Sequence, residues 1–143
     1  MSANALPACF VDTNIWLYAF IEADDAAKSA RARQLLQGSQ PVVSTQVINE
    51  ICVNLLKRRV FTEEQIRALI TSFYEKYEVV ELTPAVLLAA SALRERYSLS
   101  FWDSLIVAGS LMAGVGMLYS EDMQHGLIVD GKLQILNPFL AGE

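Results

Sequence analysis

Apolar residues recur along the chain in two rhythms. Short unbroken runs at Cys9–Val11, Pro41–Val43 and Gly116–Tyr119 have the length and density of strands buried on both faces. Glu78–Glu81 and Leu133–Leu136 read as two further strands. Between these runs the period lengthens to that of a helix. In Thr45–Arg59 the apolar positions Val47, Ile48, Ile51, Cys52, Leu55 and Leu56 fall on one face. Helices are also predicted over Asn14–Ile21, with Asp12 or Thr13 as cap, and over Asp25–Gln37, ended by Gly38. Two more run over Glu63–Tyr77, behind the capping-box pair Thr62 and Gln65, and from Pro84 to Tyr97 with Thr83 as cap. Trp102–Ala113 is apolar nearly all round, which predicts a helix buried on most sides. Strands alternating with helices imply an α/β fold whose parallel sheet is covered on both faces.

Composition narrows the class. The 143 residues are 53% hydrophobic, enough for a sizeable core, and one domain spanning residues 1–143 is expected. The net charge of -5 argues against a broad electrostatic nucleic-acid binder, which is usually basic. A bound metal can still supply positive charge locally. Cys9 and Cys52 both lie in apolar runs and read as packed thiols rather than a disulfide framework or a zinc site. The N-terminus has no basic segment followed by a long apolar one, so no signal peptide is expected. No uncharged apolar run approaches the ~20 residues of a membrane span. The longest, Ser104–Ser120, is divided by Gly109, Gly114 and Gly116 into helix, turn and strand. These features predict a soluble cytoplasmic protein.

Four acids stand where acids are unfavourable. Asp12 ends the run Ala8–Val11, Asp103 is the only charge in Phe101–Met112, and Asp122 follows Val115–Tyr119 after Ser120 and Glu121. Glu50 lies in the helical segment Ser44–Glu50. Each has an ordinary reading. Asp12 suits a helix cap, Ser100-x-x-Asp103 is a capping pattern, and Asp122 fits a turn before Gly126. Glu50 falls opposite the apolar stripe of its helix, near Val53, Asn54 and Lys57, on a face that is either plain surface or a cleft wall. Yet carboxylates beside buried elements are rarely tolerated unless paired, hydrogen-bonded or bound to a metal. If the four meet, their repulsion calls for a cation, the chemistry of a Mg²⁺ or Mn²⁺ site acting on phosphates. In open parallel sheets ligands sit beyond the carboxyl ends of the strands, where Asp12 and Asp122 both fall.

Taken together, the segments Phe10–Ile15, Ser44–Glu50, Phe101–Ile106 and Leu118–Gly126 resemble those of the PIN-domain nucleases, most closely the VapC-type toxins of bacterial toxin–antitoxin pairs. Each motif alone is weak, but the ordered set covers nearly the whole chain. The resemblance implies a three-layer α/β/α fold with a short central parallel sheet, and metal-dependent endoribonuclease activity. Asp12, Glu50, Asp103 and Asp122 match the family's acidic site, and Thr13, Asn14 and Ser120 match positions that support it. Where some family members carry another acid, this chain has Gln124. The resemblance further implies a homodimer, a cognate antitoxin peptide that masks the groove, and operator DNA reached only through that antitoxin.

On this reading Asp12 and Asp103 ligate Mg²⁺ (or Mn²⁺) directly and Asp122 holds a ligand or a bound water. Glu50 is either a further ligand or the group that orients the attacking water. Arg31, Arg33, Lys57, Arg58 and Arg59 are candidates for contacts to the RNA backbone, although Lys57–Arg59 also suits the C-terminal end of a helix. The lone His125 reads as a turn or surface residue rather than a general base. Three alternatives stay open: an aspartate-nucleophile phosphatase using Asp12, a PIN-type RNA-processing nuclease without an antitoxin, and a binding module without catalysis.

Overall fold

The computed structural model describes residues 6–140. The expectation of no signal peptide falls partly on Met1–Ala5, and the expected domain span reaches residues 1–5 and 141–143; both stretches lie outside the described residues. Strand β1 (Ala8–Val11) leads into α1 (Thr13–Phe20), a short 3-10 turn, α2 (Ala26–Gln37) and β2 (Gln40–Ser44). Next come α3 (Thr45–Lys57), α4 (Glu63–Lys76), β3 (Glu78–Val80), α5 (Pro84–Arg96) and α6 (Phe101–Met112). The chain closes through β4 (Met117–Tyr119), β5 (Ile128–Val129) and β6 (Leu133–Leu136). Among the described residues no helix is long and apolar enough to cross a membrane.

The six strands form one sheet in the order β3-β2-β1-β4-β6-β5. All neighbouring pairs are parallel except β5 with β6, so the expected parallel sheet gains an antiparallel edge. That edge is a hairpin turned by Asp130 and Gly131, both at positive φ (53° and 66°), with Lys132 N–H donating to Val129 O. β5 is absent from the sequence-based expectation because it is only two residues long and one of them, Ile128, faces solvent. The Asp-Gly pair between the apolar Ile128–Val129 and the run from Leu133 was its signal.

Helix starts fall at side-chain caps. Asp12, Asp25, Ser44, Thr62, Thr83 and Ser100 each accept a backbone N–H in the first turn of the helix that follows. Thr62 and Gln65 form the reciprocal capping box read from the sequence. α3 ends at Lys57, and Arg59 adopts a positive φ of 57° in the turn beyond it. α6 is buried from Ser104 to Ser110, but its ends are not, for Phe101, Trp102 and Met112 are exposed.

The core joins the sheet to the helices. Trp16 is fixed by a hydrogen bond from Nε1 to Val11 O (3.1 Å) and packs edge-on against Phe73 and Tyr77, at 5.0 and 5.3 Å between ring centroids. This anchors α1 and α4 over β1. β1 has β2 on one side and β4, more than a hundred residues later, on the other. The chain therefore changes direction of winding at the β1–β4 junction, and a crevice opens beyond their carboxyl ends.

Candidate active site

The crevice gathers the four acids. Asp12 follows β1 directly, and its amide continues the ladder by donating to Tyr119 O (3.0 Å). Ser120 follows β4 and donates its amide to Leu136 O (2.9 Å). The two strand ends are thus held side by side by backbone bonds. The Ser120 hydroxyl donates to Asp12 Oδ2 (2.8 Å) and accepts from the amides of Asp122 and Met123 (3.3 Å each). Asp12 Oδ1 accepts the Thr13 amide (2.7 Å).

Asp12 is only 6% exposed. Burial pushes its pKa up to about 6; the bonds from Ser120 and Thr13 oppose that rise, and the charges of Asp103 and Glu50 add to it. Asp103, in the first turn of α6, is also raised, chiefly by burial and further by Asp122 and Glu50. Asp12 thus lies within electrostatic reach of Asp103 and Glu50, and Asp103 within reach of Glu50 and Asp122.

The other two acids are held by polar side chains. Thr13 Oγ1 donates to Glu50 Oε2 (2.6 Å), and Gln46 Nε2 donates to Glu50 Oε1 (3.0 Å). Asn14 Nδ2 donates to Asp122 Oδ2. Thr13, Asn14 and Ser120 therefore each hold one acid of the cluster. Glu50 lies on a cleft wall rather than on open surface, because α3 starts at the site edge and turns this face towards α1. The capping readings of Asp12 and Asp103 also hold, since Asp12 caps α1 and Ser100 accepts the Asp103 amide (3.1 Å). Capping and cluster membership coexist because the caps lie at the same sheet edge.

Among the described residues no three acids, histidines or cysteines meet as the ligands of one ion would. The expected ligands Asp12, Asp103 and Asp122 are gathered at one edge but not closed about a point. Their chemistry nonetheless fits a hard divalent cation. The donors are oxygens, and no Lys or Arg is among the groups that shift Asp12 or Asp103.

Neighbouring residues separate into members and bystanders. Glu121 turns away from the cluster to accept from Tyr18 Oη (2.8 Å) and to pair with Lys28. His125 Nδ1 accepts the Asn137 amide (2.9 Å), a structural bond. Arg31 and Arg33 donate to the carbonyls of Pro138 and Ala19, and Arg58 pairs with Asp24. Lys57 lies seven residues beyond Glu50 on α3, about 10 Å along a helix axis. A cation that rims the acids is Arg96, which the sequence reading missed. It lines a cleft of about 300 Å³ with Asp103 and Asp122 while pairing with both oxygens of Asp130 (2.8 and 3.0 Å). No local pattern marks it, for its partner is 34 residues away. Gln46 was missed too, although its spacing of four from Glu50 on one helix was a usable signal.

An α/β sheet with an acidic cluster at its switch point is the class that fold and site define. The profile of the PIN-domain family matches residues 9–124, and the chain belongs to that family. No curated protein matches it in sequence. Among solved structures it is similar to a toxin–antitoxin complex from Klebsiella pneumoniae, with 19% identity and TM-score 0.67 over 92% of this chain and 98% of that one. It is also similar to the Mycobacterium tuberculosis VapC20 toxin, which cleaves the sarcin-ricin loop, with 23% identity and TM-score 0.62 over 77% and 86% of the two chains. VapBC2 from Rickettsia felis, bound to a promoter DNA fragment, gives 17% identity and TM-score 0.58 over 82% and 89%. At these identities the likeness is one of fold.

Proposed function

We propose that this chain is a metal-dependent endoribonuclease and the toxin half of a type II toxin–antitoxin pair. The observation that carries the reading is the gathering of Asp12, Glu50, Asp103 and Asp122 at one sheet edge, where burial and the neighbouring acids raise the pKa of Asp12 and Asp103 with no cationic side chain among the causes. Membership of the PIN-domain family and the shared fold of VapC20 and the two toxin–antitoxin complexes support it.

Asp12, Asp103 and Asp122 are the residues that would hold Mg²⁺ or Mn²⁺. When bound, such an ion activates water as a nucleophile and neutralises charge developing on the phosphate. Ser120 keeps Asp12 oriented, and Asn14 does the same for Asp122. Glu50, gripped by Thr13 and Gln46, is placed to orient the attacking water. Hydrolysis forms a bond from the water oxygen to phosphorus and breaks one phosphodiester P–O bond, and the proton released by the water balances the one taken up by the leaving oxygen. The partners that follow from this reading are RNA as substrate, a second copy of the chain, an antitoxin peptide, and operator DNA through that antitoxin. The aspartate-nucleophile alternative gains nothing, since Lys28 is paired with Glu121 and Asn14 stands where a common phosphatase pattern repeats an acid.

The test is cleavage of total cellular RNA by purified protein across a Mg²⁺ titration, with chelator and Asp103→Asn as controls. Discrete fragments lost in both controls are expected. Intact RNA in the presence of folded, Mn²⁺-binding protein would overturn the nuclease assignment.

A further inference from the structure

Beside the acids lies a second concavity, about 400 Å³, lined by Gln46, Asn49, Glu50, Leu82 and Trp102. Trp102 is 62% exposed, the largest such fraction among the aromatic residues with exposed side chains. Exposing an indole is unfavourable in water, and α6 could have placed a polar residue at this position. Phe101 packs edge-on against it at 5.3 Å between centroids, and Arg94 sits over the Phe101 ring at 4.4 Å, so the platform is backed.

Gln46 ties this platform to the acids. Its Nε2 donates both to Glu50 Oε1 (3.0 Å) and to Trp102 O (3.3 Å), which fixes the amide nitrogen towards those two acceptors. Its Oε1 is left buried without a hydrogen-bond partner, although the side chain is only 6% exposed. Gln46 and Asn49 are neutral amides, Glu50 is an acid, and no cation lines the pocket among the described residues. Phosphate would be repelled here. A flat, uncharged group with donors and acceptors on its edge fits the ring, the amides and the carboxylate together.

We infer that this pocket seats one unpaired nucleobase of the substrate, stacked on Trp102 and read at its edge by Asn49, with Gln46 tying Glu50 to the Trp102 backbone, next to the phosphate at the acid cluster. The inference rests on the nuclease reading above and adds a specificity-determining residue to it. Base–aromatic stacking is a sequence-tolerant source of affinity for single strands, and the Asn49 amide supplies the discrimination.

The experiment is binding of a fluorescein-labelled single-stranded RNA of mixed sequence to the full chain carrying Asp103→Asn, in Mg²⁺, by anisotropy and by tryptophan quenching. Trp102 is one of two tryptophans, and the other, Trp16, is 2% exposed, so quenching reports the pocket. We expect quenching on binding, a loss of affinity of roughly tenfold or more in Trp102→Ala, and recovery of most of it in Trp102→Phe. Cleavage fragments from the Trp102→Ala protein without the Asp103 change should lose their base preference at the cut. Equal RNA affinity in Trp102→Ala overturns the inference. So does an Ala variant that loses only self-association in sedimentation, which would make this face a protein interface. The two readings fail separately. Trp102-dependent binding by a protein that never cleaves RNA sinks the nuclease reading alone, and cleavage indifferent to Trp102 sinks the base seat alone.

Discussion

Ser120 Oγ lies 2.8 Å from Asp12 Oδ2, joining residues 108 apart in sequence at the junction of the two strands that carry the site. The same hydroxyl accepts the amides of Asp122 and Met123, so it organises two acids at once. Ser120→Ala removes a donor to a buried carboxylate and an acceptor for two amides. The expected destabilisation is about 1–3 kcal/mol, read as a lowered urea midpoint. Mn²⁺ binding followed by calorimetry should weaken in parallel. An unchanged midpoint would show that the hydroxyl organises nothing.

Asp12 gives the metal-free protein a pH signature. Its pKa rises on folding from 3.8 to about 6, so between those values the folded state holds a proton that the unfolded chain has released. Stability therefore falls as pH rises from about 4 to about 6, by about 3 kcal/mol in total. Urea melts of chelator-treated protein across that range should show the slope, and Asp12→Asn should flatten it. Divalent ions require the ionised carboxylate, so Mn²⁺ affinity should climb over the same interval. A wild-type stability flat from pH 4 to 6 would contradict the burial of an ionisable Asp12.

Glu121 and Asp122 are adjacent acids with different expected fates. Glu121 is engaged by Tyr18 and Lys28, outside the cluster, whereas Asp122 is held by Asn14 within it. Glu121→Gln should retain cleavage within about an order of magnitude, in keeping with the small effect of a partly exposed ion pair. Asp122→Asn should abolish it. Comparable losses in both variants would place Glu121 in the machinery.

Asp103→Asn should fold normally, because Ser100 still accepts the residue-103 amide in the α6 cap and the asparagine side chain keeps an oxygen acceptor for the Ser100 hydroxyl. Circular dichroism and thermal melting should match wild type while RNA cleavage disappears. A large drop in melting temperature would show instead that this carboxylate supports the fold.

Much of this arrangement was legible in the chain. The apolar runs mark β1, β2 and β4, and the polar residues before each helix mark its start, because a cap must answer an otherwise unpaired N–H. Asp12 and Asp122 could be assigned to one edge from the geometry of parallel sheets alone. Glu50 could not be settled that way. Helical periodicity separates core from non-core, and a cleft wall is non-core. The order β3-β2-β1-β4-β6-β5 was equally closed to local reading, since it depends on pairings between distant segments. Arg96, a cation that rims the acids, escaped local reading for a related reason, since it is an ordinary helix-end arginine whose partner lies 34 residues away.

The Ser120 amide docks on Leu136, in the last strand of the sheet. During synthesis all four acids emerge from the ribosome before β6 does, yet the strand end that carries Ser120 and Asp122 has its full ladder only after β6 pairs. The backbone bond that seats the Ser120 end of the site therefore comes from a strand that follows all four acids in the chain, so the acids acquire their final geometry only after β6 has docked.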